Sequence, residues 1–202
     1  MNPVQNRRRR MNTLAAQIRA CLACEGMNIP TVTQAAPGFG SLSSPVVIIG
    51  QSLCGPCMAS QIPFTGGSGR VLDRSLQIAG LAKTDIFLTN VVHCHPPGNR
   101  PSQPHEIINC RPYLHNELAI VAPRLVVALG KDARAAVTSE YPSGRILSWP
   151  FVPPTRDSPV AQQPDLIFAP HPSWIVRQPT PAREEYEQRL ADALMWAFDD
   201  AP

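Results

Sequence analysis

The sequence predicts an α/β protein, a three-layer α/β/α sandwich with a four-stranded, mostly parallel central sheet. Four short runs rich in Val, Ile and Leu are typical of strands that are buried on both faces. Segments with helical spacing separate these runs, as in chains that build parallel sheets. The hydrophobic share of 44% over 202 residues fits a globular chain with a full core. The predicted strands are 46–49, 86–89, 125–129 and 166–169.

Helices are predicted wherever apolar residues recur at helical spacing between recognisable ends. Leu72 and Leu76 lie one turn apart in a segment that Gly80 terminates, and Pro104 marks the start of a longer helix. The predicted helices are 13–24, 68–79, 104–121, 133–137 and 182–198. Ten of the 23 prolines fall between Pro142 and Pro181, which predicts largely irregular chain there up to residue 165.

The first twelve residues contain four consecutive arginines at 7–10 and are predicted to be a disordered basic tail. Residues 13–200 are predicted to form a single domain. The formal charge of +3 permits nucleic-acid binding without arguing strongly for it. No apolar run approaches the roughly 20 residues that cross a bilayer. We therefore expect a cytoplasmic protein with no membrane partner. We also expect a monomer.

Four of the six cysteines have spacing typical of a metal site. Cys21 and Cys24 form a C-x-x-C pair at the end of the first predicted helix, and Cys94 and Cys110 follow with fifteen residues between them. Thiolates hold iron–sulfur clusters or tetrahedral zinc. Spacing alone predicts a metal and leaves the choice between zinc and iron open.

Cys54 and Cys57 form a second C-x-x-C pair within CGPC, a pattern that also occurs in thiol–disulfide proteins. In those proteins the pair opens a helix. Here Pro56, the nearby Pro63 and several glycines favour a loop, so dithiol chemistry is the less favoured interpretation.

Polar side chains follow three of the predicted strands. Gly50 is followed by Gln51, Asn90 comes at the end of the second strand, and His171 follows the fourth. In open α/β sheets ligands bind outside the carboxyl ends of the strands. A flat heterocycle there could stack on Phe64, pair with Asn90 and meet the imidazole of His171.

At these residues the chain resembles the iron–sulfur branch of the uracil-DNA glycosylase superfamily, the family 4 and family 5 type. The resemblance runs from Cys21 to Arg177 and rests on several motifs together with the four cysteines. Each motif is weak alone, but the set in this order is specific. The motifs are PFTGGSGRVLDRSL, TNVVHCHPPGNRPSQPHEIINCRPYL, PRLVVALG and HPSWIVR.

The resemblance implies a role for each matching residue. It implies that Phe64 stacks on a flipped base, that Asn90 reads its pairing edge, and that His171 stabilises charge on the departing base with backbone amides near Gln51. Ser52 and Cys57 would also lie beside the base. The HPSWIVR segment would enter the minor groove of DNA. The implied cofactor is a [4Fe–4S] cluster with a structural role. Its ligands would be Cys21, Cys24, Cys94 and Cys110, and the implied DNA contacts are Ser173, Trp174, Arg177 and Arg100.

The first motif departs from the family pattern, which has several acidic residues. Here the span GQSLCGPCMASQIPF contains no Asp or Glu. Gln51 stands where the family has a glutamate, and Cys57 where it has an acid beside the C5 edge of the base. Because Cys57 is small, the sequence suggests a pocket that is open on the C5 side.

The leading hypothesis is a monofunctional DNA glycosylase that hydrolyses the N-glycosidic bond of a pyrimidine and leaves an abasic site. The base could be uracil, as in base-excision repair, or a C5-modified cytosine of the phage type, as in antiviral defence. Asn90 does not decide between them, because an amide can pair with either edge. One alternative is a catalytically weak iron–sulfur protein that binds DNA or senses damage. Another is a thiol–disulfide protein that uses Cys54 and Cys57.

Overall fold

The computed structural model describes residues 2–154 and 163–199, and within these residues six strands form one sheet in the order β1-β3-β2-β4-β6-β5. The four central strands run parallel to one another. At one edge β1 pairs antiparallel with β3, and at the other β5 pairs parallel with β6. The strands are β1 Phe39–Gly40, β2 Val46–Ser52, β3 Phe87–Val92, β4 Leu125–Leu129, β5 Ile146–Leu147 and β6 Asp165–Ala169.

The α/β class is confirmed, but the predicted count of four strands is wrong. The four predicted strands are the four central ones. The two edge strands have two residues each, too few to show any periodicity in the sequence. Strands β2 and β3 also continue beyond their predicted ends, to Ser52 and Val92. Asn90 therefore lies inside a strand and not after it.

Helices cover both faces of the sheet, and the core residues divide accordingly. Val47 and Ile49 of β2 pack with α1, α4 and α5, whereas Val46 and Ile48 pack with α3, α6 and α7. This alternation follows from the twofold period of a strand and gives three layers. Within the described residues the helices are α1 Pro3–Arg19, α2 Gly55–Ser60, α3 Gly69–Ile78, α4 Pro104–Val121, α5 Lys131–Glu140, α6 Pro172–Ile175 and α7 Thr180–Asp199.

Helix α1 corrects the expected disordered tail, because it begins at Pro3, where disorder was predicted up to residue 12. The Asn2 side chain accepts a hydrogen bond from the backbone N–H of Val4 at 3.1 Å and caps the helix. Met11 and Ile18 are buried in the core, so the arginine run continues a helix that packs against the protein.

Two further expectations concern particular segments. The predicted irregular stretch after Pro142 contains β5, and its residues 155–162 lie outside the described part, as do Met1 and residues 200–202.

Each helix in the described ranges is too short or too polar to cross a bilayer.

Candidate active site

Two neighbouring strands and one loop bring three site residues together. Gly50 on β2 lies beside Asn90 on β3 in the sheet register. A Cβ atom built on Gly50 would lie 2.5 Å from Oδ1 of Asn90 and 2.7 Å from Cζ of Phe64. The Phe64 ring and the Asn90 amide therefore converge over the same glycine. A phenyl face beside an amide provides a stacking surface and a donor–acceptor pair for a planar base.

The backbone holds Phe64 in a conformation that a residue of its size rarely adopts. Its φ angle is 59°, in the left-handed region. Lys83 donates a hydrogen bond to the Phe64 carbonyl oxygen at 2.8 Å and pairs with Asp73 at 2.9 Å. A Cβ on Gly69 would lie 1.8 Å from the same carbonyl oxygen, so this close approach requires glycine. Strained residues held by their surroundings cluster at functional sites. Sequence reasoning missed Lys83, for which no motif provides a signal.

The convergence at Gly50 makes a testable prediction. In Gly50→Ala the new methyl group would overlap Asn90 and Phe64, so one or both must shift. We expect a loss of roughly 1–3 kcal/mol in the free energy of unfolding. We also expect a fall of at least about tenfold in base excision, because a displaced contact misaligns the base. Denaturant unfolding and single-turnover excision measure the two effects.

Gly67→Ala is the matched control, since a Cβ on Gly67 meets no atom within 4 Å. It should leave both quantities near the wild-type values. An equal loss in both variants would show that the effect of Gly50→Ala does not come from crowding the site.

His171 lies at the same edge of the sheet, two strands away from Gly50. It caps α6, and its Nδ1 accepts a hydrogen bond from the backbone N–H of Ser173 at 3.1 Å. Because a backbone N–H can only donate, the neutral ring must carry its proton on Nε2. A Cβ on Gly130, at the end of β4, would lie 3.1 Å from Cβ of His171, so this glycine makes room for the imidazole.

The half-buried position of His171 lowers its pKa through desolvation. The ring is therefore neutral near pH 7. A neutral imidazole with a proton on Nε2 is a hydrogen-bond donor, which suits an oxygen that gains negative charge during a reaction.

The remaining predicted residues fall into different positions. Gln51 and Ser52 are half-buried on β2 directly after Gly50. Ser173, Trp174 and Arg177 are exposed in and after α6, with Trp174 54% accessible. Burial alone does not test the roles predicted for these five residues, which stay predictions.

Arg100 is partly exposed and pairs with an acidic side chain. Its guanidinium donates to Glu106 at 3.0 Å and 2.5 Å, and the Glu106 carboxylate also accepts from the backbone N–H of Gln103 at 2.8 Å. This ion pair fixes the start of α4, and the predicted contact of Arg100 with DNA stays a prediction.

Cys57 requires a correction. Its side chain is only 1% accessible and packs in a small apolar cluster with Ala36 and Leu53. Its sulfur forms a disulfide with Cys54. The residue therefore lies in the core and does not form an open wall beside C5. The expectation of a loop is also wrong, because the pair opens helix α2, with Pro56 in the first turn, where proline is well tolerated.

The other four cysteines are free thiols that influence one another. Burial first, and then the other three cysteines, raise the pKa of the Cys94 thiol to about 12. Burial likewise raises the pKa of Cys24, although a hydrogen bond from Asn109 Nδ2 at 3.3 Å opposes this. The structure therefore assembles Cys21, Cys24, Cys94 and Cys110 from three separate segments. In residues 2–154 and 163–199, however, no group of three or more His, Cys, Asp or Glu side chains is arranged to hold a metal ion.

A buried polar network beside these thiols was not predicted. Glu117 is fully buried and accepts from the backbone N–H of Gly38 at 2.7 Å and from the Thr89 hydroxyl at 2.5 Å. It also contacts Nε2 of His93 at 3.2 Å. Burial lowers the pKa of His93, but the Glu117 carboxylate and then Cys110 outweigh it and raise the pKa to about 10.

Nδ1 of His93 is buried and has no hydrogen-bond partner within the described structure. In a protonated His93 the Nδ1–H group is therefore a free hydrogen-bond donor near Cys110. Such a donor stabilises a thiolate that binds a metal. In the sequence His93 and Glu117 are separated by a loop and most of α4, so no local signal links them.

The fold and this site together define a class of protein. An α/β sheet presents an aromatic face, an amide and a neutral histidine towards the carboxyl ends of its parallel strands, and the same chain carries four free cysteines. This is the arrangement of a DNA glycosylase. The chain belongs to the uracil DNA glycosylase superfamily, whose family model matches residues 37–195. That range includes Cys94 and Cys110 but begins after Cys21 and Cys24.

Relatives with established names support the same assignment. The type-4 uracil-DNA glycosylase of Pyrobaculum aerophilum is 31% identical over 171 residues, covering 78% of this chain and 80% of that protein. The type-4 uracil-DNA glycosylase of Thermotoga maritima is 28% identical over 169 residues, covering 83% of each chain. The type-5 uracil-DNA glycosylase of Pyrobaculum aerophilum is 33% identical over 117 residues, covering 50% of this chain and 51% of that protein.

Proposed function

We propose that this DNA glycosylase removes uracil from DNA by flipping the base into the site between Phe64 and Asn90. The convergence of these two side chains over Gly50 carries the proposal. The names of the type-4 relatives support uracil as the substrate. A base within a duplex is unreachable, so flipping must be offset by stacking and by contacts to the pairing edge.

In the proposed reaction the bond between the sugar C1′ and the base nitrogen breaks, and its electron pair leaves with the base. Negative charge then builds up on a pyrimidine oxygen. Nε2–H of His171 and the backbone N–H of Gln51 can donate hydrogen bonds to it. Water adds to the cationic sugar at C1′ and loses a proton to solvent, which leaves an abasic site. The Gln51 side chain can orient this water but is too weak a base to take its proton.

A C5-modified pyrimidine is the second candidate substrate. It is favoured by one observation, namely that no Asp or Glu lies between Gly50 and Phe64 to close that side of the base. Cys57 no longer supports it, since its sulfur is buried in a disulfide. Uracil would place the enzyme in base-excision repair, and a modified phage cytosine would place it in antiviral defence.

A panel of oligonucleotides tests the choice. Each carries one uracil, thymine, cytosine, 5-hydroxymethylcytosine or glucosylated cytosine, in single- and double-stranded form, and abasic sites are read out by alkaline cleavage. We expect excision of uracil with thymine left intact. Excision of only the C5-substituted bases would replace uracil by the second candidate. Binding with no excision of any base would favour the damage-sensing alternative.

Asn90→Asp tests the reading of the base edge. A carboxylate accepts hydrogen bonds but cannot donate one to a uracil oxygen. We expect uracil excision to fall by roughly 10–100-fold, as for loss of one good polar contact, while cytosine, which offers an amino donor, becomes the preferred base. An unchanged ranking of bases in this variant would exclude Asn90 from base recognition.

We propose further that Cys21, Cys24, Cys94 and Cys110 hold a [4Fe–4S] cluster. The four free thiols and the spare N–H of His93 support it, and a four-iron cluster separates its thiolates more widely than a single ion does. Bound there, the cluster would supply a cross-link and no chemistry at the base. It would tie the end of α1 to the loop after β3 and to α4. The exposed residues Ser173, Trp174 and Arg177, in and after α6, are proposed to contact the DNA minor groove.

A further inference from the structure

We propose that Cys54 and Cys57 form a thiol–disulfide exchange site whose oxidised state holds the base-stacking loop in place. This inference rests on the proposed role of Phe64. The pair lies at the carboxyl end of β2, on the segment that connects Gly50 to Phe64, so its covalent state bears directly on the site.

Both sulfurs contact the residue next to Phe64. The Cys54 sulfur lies 3.0 Å from the carbonyl oxygen of Thr65, and the backbone N–H of Thr65 donates to the Cys57 sulfur at 3.3 Å. Thr65 is held further by its own hydroxyl, which donates to the Ile62 carbonyl at 2.8 Å. The disulfide thus lies under the backbone that sets the left-handed conformation of Phe64. Reduction would free the two sulfurs to rotate apart and would loosen this support.

The two cysteines differ in accessibility in the way that exchange requires. Cys54 is half-buried and lies two residues before the exposed Pro56, whereas Cys57 is 1% accessible. An incoming thiolate can therefore reach the Cys54 sulfur, while Cys57 is shielded. Exchange rates depend on which sulfur is accessible to attack.

The co-reactant is a dithiol reductant. Its thiolate attacks the Cys54 sulfur, the Cys54–Cys57 bond breaks, and Cys57 leaves as a thiolate that takes up a proton. The second thiol of the reductant loses its proton and attacks the mixed disulfide, which releases Cys54 as a thiolate that is then protonated. Two electrons pass to the protein, and the reductant becomes a cyclic disulfide. A disulfide oxidant reverses each step.

The thiol cluster lies close by, so the test must separate the two. The backbone N–H of Leu53 donates to the carbonyl oxygen of Cys94 at 3.3 Å, which links the exchange site to a proposed cluster ligand. The double variant Cys54→Ser/Cys57→Ser keeps all four cluster cysteines. Any effect of reductant in that variant comes from the cluster and can be subtracted.

The experiment uses the complete protein purified without reductant, then treated with dithiothreitol, then re-oxidised. Alkylation with peptide mass mapping follows the thiols, hydrogen exchange follows peptides covering residues 60–67, and single-turnover excision of uracil follows the site. We expect Cys54 and Cys57 to be disulfide-bonded before reduction and both alkylated after it. Hydrogen exchange in residues 60–67 should become faster on reduction. Excision should fall roughly tenfold on reduction, because the stacking face is misplaced, and recover on re-oxidation. In the double variant the loop should show fast hydrogen exchange, and uracil excision should stay at the low rate, with and without reductant.

Several results would overturn the inference. Free thiols at both positions before reduction would show that no disulfide forms. If neither the hydrogen exchange of the loop nor the rate of excision changed on reduction, the disulfide would not support Phe64. A total lack of uracil excision in both states would instead contradict the proposed function, and the hydrogen exchange of the loop would then decide the exchange site alone.

Discussion

His171→Ala is expected to bind DNA about as well as the wild type but to cleave the glycosidic bond roughly 10²–10³ times more slowly. The variant removes the Nε2–H donor that the Ser173 backbone bond fixes in place. That donor matters chiefly when charge develops on the departing base, so the loss should appear in the single-turnover rate and not in the dissociation constant.

Two comparisons sharpen this prediction. His171→Gln keeps an N–H donor and should recover part of the rate. His115→Ala removes an exposed histidine of α4 that pairs with Glu140 of α5, and it should leave the rate unchanged. An unchanged rate in His171→Ala would exclude this imidazole from the chemistry.

The lowered pKa of His171 also sets the pH dependence. Protonation of Nδ1 would break the bond from the Ser173 backbone N–H that orients the ring, so the rate should hold as pH falls below the ordinary histidine value of about 6.5 and decline only at the lower folded pKa. Folding stability follows a related rule. The contribution of His171 to the free energy of unfolding is complete above about pH 6.5. It is lost as the pH falls from about 6.5 to the lower folded pKa, because in that range the unfolded chain binds a proton that the folded chain does not. Compared with wild type, His171→Gln should lack both transitions.

Cys94→Ser is expected to lose iron and stability together. Metal-binding energy at such sites is partly folding energy, and removing one ligand should cost about as much as a native disulfide, roughly 2–5 kcal/mol. Cys94 is 7% accessible and lies in the main core cluster, so water has little access to the position of this proposed ligand. Iron and sulfide analysis, visible absorption and thermal unfolding measure the effect.

The double variant Cys54→Ser/Cys57→Ser is the matched control, since it removes two cysteines that are not among the proposed cluster ligands. It should retain the iron content and the broad visible absorption of the wild type. Zinc in place of iron in anaerobically purified protein would replace the cluster by a structural zinc site. Equal metal loss in both variants would contradict the assignment of the four ligands.

Local patterns in the sequence were sufficient for much of the framework. The four Val- and Ile-rich runs gave the central strands, and α4 has its predicted bounds at Pro104 and Val121. These predictions succeed because a strand buried on both faces must be apolar along its whole length, and because a proline and a capping acid mark a helix start. Asn90 could be placed towards the same edge as Gly50 because parallel strands share their direction, although β3 continues past it to Val92.

Other features depend on contacts that are distant in the chain. Helix α1 extends over the arginine run because Met11 packs on the core, and Cys57 of α2 pairs with Cys54 and packs with Ala36. Lys83 reaches the Phe64 carbonyl from nineteen residues away, a separation with no periodic signature.

The sequence by itself determined the α/β class, the central strands, the glycosylase family resemblance and the identity of the candidate site residues. Only the tertiary structure decided where those side chains lie. It brings Phe64 and Asn90 together over Gly50, fixes the His171 proton on Nε2 and buries Cys57 in a disulfide. The physical reason is that periodicity and motifs report the environment of each segment. The orientation of a side chain depends instead on the partners that folding brings to it from elsewhere in the chain.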